Sequence, residues 1–154
     1  MGSYNGHNGT VWTIDVNWDS TSFVSASADS TVRLWDVQTG RERNIYQVDT
    51  PCRCCAFSYD GNIILYTNDD VMGKPCEMFL TDIRTRCMNL IIWKYLIEEF
   101  LFILANEGPA ARINISQRGL RKATSGLWGT LDEFIVTGHE NGELVQWDIK
   151  VDTN

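Results

Sequence analysis

The stretch Val32–Asp36 (VRLWD) alternates apolar and polar side chains and ends in Trp-Asp. Two later stretches, Met78–Asp82 (MFLTD) and Leu144–Asp148 (LVQWD), are also short apolar segments that end in an aromatic residue or Thr followed by Asp. Apolar alternation over five residues is typical of a β-strand with one buried face. The recurrence of the same ending predicts that the chain is built from repeats of one β-sheet unit.

The first repeat carries the signals of a four-stranded sheet. Gly6-His7 stands near its start and Trp35-Asp36 closes its third strand, a combination that is the signature of a WD40 propeller blade. Turn-forming residues such as Asp29 and Ser30 separate the apolar segments. The predicted fold class is therefore all-β, a partial WD40 β-propeller with about three four-stranded blades. The predicted strands of this repeat are 11–16, 23–27, 31–35 and 43–48.

The second repeat is degenerate and the third is more regular. In the second, Gly-His is absent and Thr81 stands where Trp is expected, although Ile63–Thr67 still predicts a strand. The third combines the predicted strand Glu133–Thr137 with Asn141-Gly142, a favoured hairpin turn, and ends in Trp147-Asp148. The predicted organisation is two WD40 blades in residues 1–84, an anomalous insertion in 85–119 and the remainder of a third blade in 120–154.

The insertion contains the one stretch that does not resemble a propeller. From Asp82 to Asp148 the chain runs 66 residues, about twenty more than one blade of ~40–45 needs. The surplus coincides with residues 88–105, which are apolar and have no turn signals. One interpretation is a helix with its three charged side chains within an arc of about 140°. A second is a membrane span, and a third is translated text that was never selected to fold.

The charge balance argues against wrapping of nucleic acid. Twenty acidic residues against thirteen basic ones give a net charge of −7. An acidic surface repels the phosphate backbone, so we expect no direct contact with DNA or RNA. The only basic cluster, Arg118, Arg121 and Lys122, is too small to change this expectation.

The cysteines indicate reduced thiols rather than a metal site. Cys52, Cys54 and Cys55 are crowded, Cys76 and Cys87 lie far away, and no second pair or His stands at ligand spacing. The odd count and the polar, Gly-rich residues 1–10 argue against secretion, so reduced thiols of a cytosolic or nuclear protein are expected. The crowded thiols are predicted to lie on a strand and to alternate between its faces.

One set of residues invites a catalytic interpretation. Within a WD40 blade, His7, Ser27, Asp29 and Trp35 resemble the hydrogen-bonding network that ties the loop between blades to the sheet. The same residue types could form a Ser-His-Asp triad, but the resemblance favours a structural brace. No catalytic, cofactor-binding or metal-binding residue is therefore predicted, and the chain is expected not to be an enzyme. The Trp-Asp pairs Trp35-Asp36 and Trp147-Asp148 are predicted to have structural roles.

Three further features have both a structural and a functional interpretation. His139 aligns with Ser27 and is interpreted as a turn residue rather than an exposed contact for a partner. Asp69-Asp70 is interpreted as a solvated pair of turn residues rather than a metal site. Exposed tryptophans are candidate anchors for a partner, although each is more often a core residue; the candidates are Trp12, Trp18 and Trp128.

Beyond the general WD40 pattern, the chain resembles the subunit I family of eukaryotic translation initiation factor 3. The resemblance rests on segments of all three repeats and extends through the degenerate second one, which makes it more specific than a match to the WD40 consensus. It covers residues 6–84 and about 120–150, so the chain is expected to correspond to an internal part of a seven-bladed propeller. The segments are 6–12, 15–19, 27–29, 33–36, 61–64, 72–73, 76–84, 122–129 and 137–144.

The resemblance implies a scaffold role in translation initiation. A member of this family would bind other subunits of the factor, notably B and G, and would support recruitment of mRNA and initiator tRNA to the small ribosomal subunit in the cytoplasm. It implies no cofactor, membrane or direct nucleic-acid contact. The alternative within the WD40 class is the serine-threonine kinase receptor-associated adaptor, which would act in signalling or ribonucleoprotein assembly. The loop and strand 72–84 argue against that alternative.

Overall fold

The chain folds into β-sheets. The computed structural model describes residues 2–84, 90–96, 99–104, 111–116 and 119–151. These residues form the strands β1 (Val11–Val16), β2 (Ser22–Ser27), β3 (Thr31–Asp36), β4 (Glu42–Gln47), β5 (Cys52–Phe57), β6 (Ile63–Asn68), β7 (Glu77–Asp82), β8 (Leu90–Leu96), β9 (Glu99–Leu104), β10 (Ala111–Asn114), β11 (Ala123–Trp128), β12 (Phe134–His139) and β13 (Leu144–Val151).

The strands pair into three sheets, one for each repeat. Blade 1 has the order β1-β2-β3-β4 and blade 2 the order β10-β7-β6-β5. Blade 3 has the order β11-β12-β13-β8-β9. Each adjacent pair is antiparallel, as expected for strands joined by short turns. The prediction of an all-β partial propeller is confirmed, although blade 3 has five strands rather than four.

The helical interpretation of residues 88–105 is wrong. Within this stretch, Leu90–Leu96 and Glu99–Leu104 are strands that pair with each other, and β8 also pairs with β13. The stretch is rich in Ile, Phe, Trp and Tyr, which favour strands over helices. β8 takes the position beside β13 that β4 takes beside β3 in blade 1. Within the described ranges, no helix has the length and apolarity that a membrane crossing needs.

The segment 85–119 does not consist of the hairpin alone. Its residues Ala111–Asn114 form β10, which pairs with β7 and supplies the fourth strand of blade 2. The hairpin therefore lies in sequence between the third and fourth strands of blade 2, whereas its backbone pairing is with blade 3. Residues 85–89, 97–98, 105–110 and 117–118, which belong to the predicted insertion, lie outside the described residues.

The apolar core lies between the sheets. The central strand β6 is buried on both faces because alternate side chains point to opposite neighbours. Ile64 and Tyr66 pack with residues of blade 1 such as Val24 and Leu34. Leu65, on the other face, packs with a cluster that includes Ile135 and the fully buried Trp147 of blade 3.

The strand β11 of blade 3 packs closely against side chains of blade 2 at a glycine. A Cβ atom at Gly126 would lie 2.9 Å from a methyl carbon of Leu65 and 3.5 Å from Sγ of Cys54. Because contacts below 3.0 Å are repulsive, a larger residue at this position would have to displace the buried Leu65 side chain. Gly126 therefore allows β11 to pack directly against Leu65 and Cys54 of blade 2.

Candidate functional site

In blade 1, three of the predicted network residues join one chain of hydrogen bonds. Nδ1 of His7 lies 2.9 Å from a carboxylate oxygen of Asp29, and Nε2 lies 2.7 Å from Oγ of Ser25. The same Oγ accepts the indole N–H of Trp35 at 2.9 Å. The chain crosses from the loop before β1 to the third strand, so it ties that loop to the sheet.

The serine in this chain is Ser25 rather than Ser27. Both are buried on β2 and both point to the same side of the strand, two positions apart. The Oγ of Ser27 accepts the backbone N–H of Asp29 at 3.2 Å, at the hairpin turn. Consensus spacing could not separate the two serines, because the choice depends on which of them reaches the Trp35 indole across the strand pair.

The Asp29 carboxylate is the most extensively bonded group of the network. It accepts hydrogen bonds from the backbone N–H of Asn8 at 2.9 Å and from the Thr31 hydroxyl at 2.6 Å, besides its contact with His7. Burial alone would raise the pKa of Asp29, but these hydrogen bonds outweigh it and lower the pKa below its usual range. Asp29 therefore remains a carboxylate at neutral pH.

The relation of Ser25, His7 and Asp29 matches that of a catalytic triad in residue type and in order. A nucleophilic serine, however, needs an accessible hydroxyl and donors that stabilise an oxyanion. Ser25 is 3% exposed, and its oxygen already accepts the Trp35 indole N–H. His7 and Ser25 line an open groove on the outer face of blade 1, but the Ser25 oxygen is engaged by both His7 and Trp35. The arrangement can therefore transmit a hydrogen-bonded constraint from the loop to the sheet.

Blade 3 contains a shortened form of the same network. The Trp147 indole donates to Oγ1 of Thr137 at 2.8 Å, as Trp35 does to Ser25. Nε2 of His139 lies 2.9 Å from the same Oγ1, and its Nδ1 lies 2.6 Å from the carbonyl oxygen of Arg121. His139 thus takes the place of the missing histidine from a different position in the repeat. It is 5% exposed, so it is not an exposed contact for a partner.

In blade 2, the two positions equivalent to Ser25 and Trp35 of blade 1 hold a large and a small side chain in the opposite order. Tyr66 on β6 occupies the position of Ser25, and Thr81 on β7 occupies that of Trp35. Their hydroxyl oxygens lie 3.3 Å apart. The aromatic ring has moved from the third strand to the second, and the hydroxyl residue has moved the other way. The Thr that makes the second repeat look degenerate is therefore one half of a compensated pair.

The aspartates of the two Trp-Asp pairs accept hydrogen bonds from residues that are close to them in sequence. Asp36 accepts the backbone N–H of Thr39 at 2.8 Å and is also ion-paired with Arg43. These contacts, the backbone hydrogen bond first, lower the pKa of Asp36 to about 2. Asp148 accepts the side-chain amide of Gln146 at 2.8 Å. Both aspartates contribute to local structure.

Asp69 is not a solvated turn residue, contrary to its sequence-based interpretation. It is 4% exposed and is paired with Arg53 through two hydrogen bonds of 2.5 and 3.2 Å. The Arg53 guanidinium also lies 3.8 Å from the ring centroid of Trp12, a cation–π contact between blades 1 and 2. Asp70 is exposed. Across the part of the chain that the structure describes, no group of His, Cys, Asp and Glu could hold a metal ion.

The described cysteines are buried thiols. Cys52 and Cys55 pack in the core between blades 1 and 2, while Sγ of Cys54 lies 3.1 Å from Oγ1 of Thr67 on the opposite face of β5. A bulge between Cys52 and Cys54 shifts the simple alternation, so Cys52 and Cys55 share a face. Burial raises the pKa of Cys52 to about 12 and that of Cys54 to about 11. These thiols are therefore protonated and unreactive at neutral pH.

The three candidate tryptophans differ in their exposure to solvent. Trp12 is 39% exposed and is covered on one face by Arg53, whereas Trp18 is 75% exposed. Trp128 is half-buried, and its indole N–H lacks an acceptor among the described residues. Trp18 is therefore the candidate most available to a partner.

Two grooves border the inner strands. One, of about 480 Å³, lies along β1, β5 and β11 and is lined by Asp15, Phe57, Tyr59 and Trp128 among others. The second, of about 510 Å³, lies on the outer face of blade 1 beside Tyr4, Val16 and Trp35. Both are open clefts lined largely by apolar and aromatic side chains, a composition typical of sites that bind protein segments.

Comparison with known proteins agrees with this architecture. Residues 1–36 match the family model described as "WD domain, G-beta repeat". The three antiparallel sheets and the Trp-Asp pairs are consistent with a partial WD40 propeller, the fold class that this match indicates.

Within that class, it is similar over 97% of its length to proteins named eukaryotic translation initiation factor 3 subunit I. Identities over 150 residues are 41% for the protein of Nematostella vectensis, 38% for that of Bombyx mori and 37% for that of Drosophila willistoni. The resemblance to this family is thereby confirmed. The chain spans 40–41% of the length of these relatives.

Proposed function

We propose that the chain acts as a non-catalytic scaffold in a translation initiation factor 3 complex, as part of a propeller of the subunit I type. The observation that carries the proposal is identity of up to 41% over 97% of the chain to proteins of that name. The match extends through the second repeat, in which Tyr66 and Thr81 depart from the WD40 consensus. Its partners are other subunits of the factor, with B and G expected.

The fold suits a scaffold because its networks hold the loops while its edges and grooves remain open. The hydrogen bonds of His7, Ser25 and Trp35 fix the entry to blade 1, and Arg53 and Asp69 join strands of blade 2. A rigid platform of this kind binds a partner segment without the entropic cost of ordering its own loops. In this proposal, mRNA and initiator tRNA reach the small ribosomal subunit through the partners, in the cytoplasm.

The proposal of a non-catalytic role rests on the burial and hydrogen bonding of Ser25, the serine of the triad-like group in the described residues. Ser25 is buried, and its hydroxyl accepts a hydrogen bond from Trp35. The thiols of Cys52, Cys54 and Cys76 have raised pKa values because they are buried, so none is a thiolate at neutral pH.

Affinity capture tests the proposed function. The protein is tagged in its source cells and captured under native conditions, and co-purifying proteins are quantified by mass spectrometry. We expect subunits B and G of the factor at amounts comparable to the bait. An equally tagged WD40 propeller with another function is the control. Capture of kinase-receptor complexes without initiation-factor subunits would contradict the proposal and support the signalling adaptor instead.

A further inference from the structure

Three turns of successive blades form one continuous surface, here called the turn row: residues 17–21 between β1 and β2, 58–62 between β5 and β6, and 129–133 between β11 and β12. An added Cβ atom at Gly61 would lie 3.7 Å from the Asn17 side chain, which places the first two turns in contact. The Asp132 carboxylate accepts the backbone N–H groups of Tyr59 at 2.5 Å and Asp60 at 3.0 Å, which joins the second turn to the third.

Each turn of the row presents a large apolar side chain to solvent. Trp18 is 75% exposed, Tyr59 is 65% exposed and Leu131 is 73% exposed. Leu131 also has a φ of +59°, a left-handed backbone conformation that is uncommon for a bulky residue and that projects it from the turn. Isolated exposed apolar residues are ordinary, but a contiguous series of them marks an interaction surface.

A groove continues from the turn row toward the inner strands. Tyr59 and Thr130 of the row line the groove of about 480 Å³, whose walls include Ile14, Phe57 and Trp128. An apolar side chain of a bound segment could occupy the groove while its neighbours lie across Trp18 and Leu131. Buried aromatic anchors of this kind contribute most of the binding free energy in protein interfaces.

The charge of the turn row indicates the charge of the partner that it can bind. The three turns contain Asp19, Asp60, Asp132 and Glu133 and have neither Lys nor Arg. A backbone hydrogen bond from Thr21 lowers the pKa of Asp19. Burial alone would raise the pKa of Asp60, but hydrogen bonds from Ser58 and Asn62 lower it. Arg43 and Arg84 act on Asp19 and Asp60 from outside the turns, but each is already ion-paired with another carboxylate, Asp36 or Asp82. The row is therefore negatively charged at neutral pH, which attracts a basic segment and repels nucleic acid.

We propose that the turn row binds a basic segment of a partner protein that carries aromatic or aliphatic anchors spaced to meet Trp18, the groove and Leu131. The inference deepens the proposed scaffold role and rests on it, because it names the surface and the chemistry of one partner contact. Electrostatic attraction brings the segment to the row, and burial of its apolar side chains holds it there.

The test uses the full 154-residue chain and three fluorescein-labelled synthetic peptides of 14 residues. The first peptide alternates Lys with Leu and Trp, the second replaces each Lys with Glu, and the third replaces each Leu and Trp with Ser. Fluorescence anisotropy should show binding of the first peptide only, weakened as salt is raised. Trp18→Ala should raise its Kd about tenfold or more. Leu144→Ala, a matched exposed apolar residue at the opposite end of blade 3, should change it less than twofold.

A second pair of variants tests the contribution of the negative charge of the turn row to binding. Glu133→Gln in the row should weaken the first peptide several-fold at low salt, while Glu143→Gln, exposed beside Leu144, should not. Circular dichroism establishes that each variant remains folded. Equal binding of the Glu peptide, equal weakening by Leu144→Ala, or no binding of any peptide would overturn the inference.

The outcomes separate the surface from the proposed function. Capture of initiation-factor subunits by the tagged protein, with no peptide binding at the row, would leave the scaffold role standing and remove this surface from it. Peptide binding that depends on Trp18, with no such capture, would keep the surface and overturn the proposed function.

Discussion

Ser25 and Ser27 are two positions apart on β2 and similarly buried, yet their hydroxyls have different partners. Ser25→Ala leaves the Trp35 indole N–H and the His7 imidazole without their shared partner in a buried site. We expect a loss of about 1–3 kcal/mol in the free energy of unfolding, measured by urea denaturation. Ser27→Ala removes one contact of 3.2 Å with a backbone N–H and should cost less. The opposite order would contradict the observed network.

The Asp29 carboxylate links the stability of blade 1 to pH. Its pKa is lowered in the folded state, so it contributes stability above its ordinary pKa of 3.8, and that contribution is lost as pH falls toward its folded value. We expect the free energy of unfolding to fall as pH is lowered from about 5 to about 2, the range in which a carboxylate with a lowered pKa becomes protonated. Asp29→Asn should be less stable at pH 7 and less sensitive to acid. An unchanged pH dependence would show that other carboxylates dominate.

The buried thiols give a second residue-scale prediction. In a Cys87→Ser variant, the remaining cysteines are Cys52, Cys54, Cys55 and Cys76, all buried and with pKa values raised by burial. Ellman's reagent at pH 8 should therefore react with much less than one thiol per native chain over minutes. In urea all four should react at once. Rapid reaction of the native variant would show that blade 2 opens readily.

At the scale of the elements, the sequence predicted the strands of blade 1 and the apolar strand β6 because period-two alternation and turn residues are local signals. It did not predict the compensated pair Tyr66 and Thr81, since consensus comparison examines each position alone whereas the two side chains meet across a strand pair. It also missed the hairpin of β8 and β9, because apolar side chains without turn residues satisfy both helix and strand patterns.

The Tyr66–Thr81 pair can be tested by restoring the arrangement of blade 1. Tyr66→Ser alone should leave a cavity, and Thr81→Trp alone should overpack the core between blades 1 and 2. Each should lower the free energy of unfolding by about 2 kcal/mol or more. The double variant should recover a large part of that loss, with a coupling energy of about 1–3 kcal/mol. Additive losses would show that the side chains at positions 66 and 81 are not energetically coupled.

At the scale of the whole molecule, the outer face of blade 1 has no partner sheet among the described residues. Val11, Ile14 and Val16 are 43%, 63% and 49% exposed there, beside a groove of about 510 Å³. In contrast, the faces between blades 1 and 2 and between blades 2 and 3 are filled by buried clusters. An apolar sheet face in water drives association because repeats of this kind are stabilised by their neighbours.

We therefore expect the chain to sediment above its monomer mass of 17.5 kDa at concentrations of tens of micromolar. Val11→Lys with Val16→Lys places two charges on the open face of blade 1 and should shift the distribution toward monomer. Met72→Lys with Leu144→Lys adds the same charge at two exposed positions that do not line that groove, and should leave the association largely unchanged. Sedimentation equilibrium measures all three proteins. A wild-type chain that stays monomeric throughout would show that the exposed valines and Ile14 do not drive association.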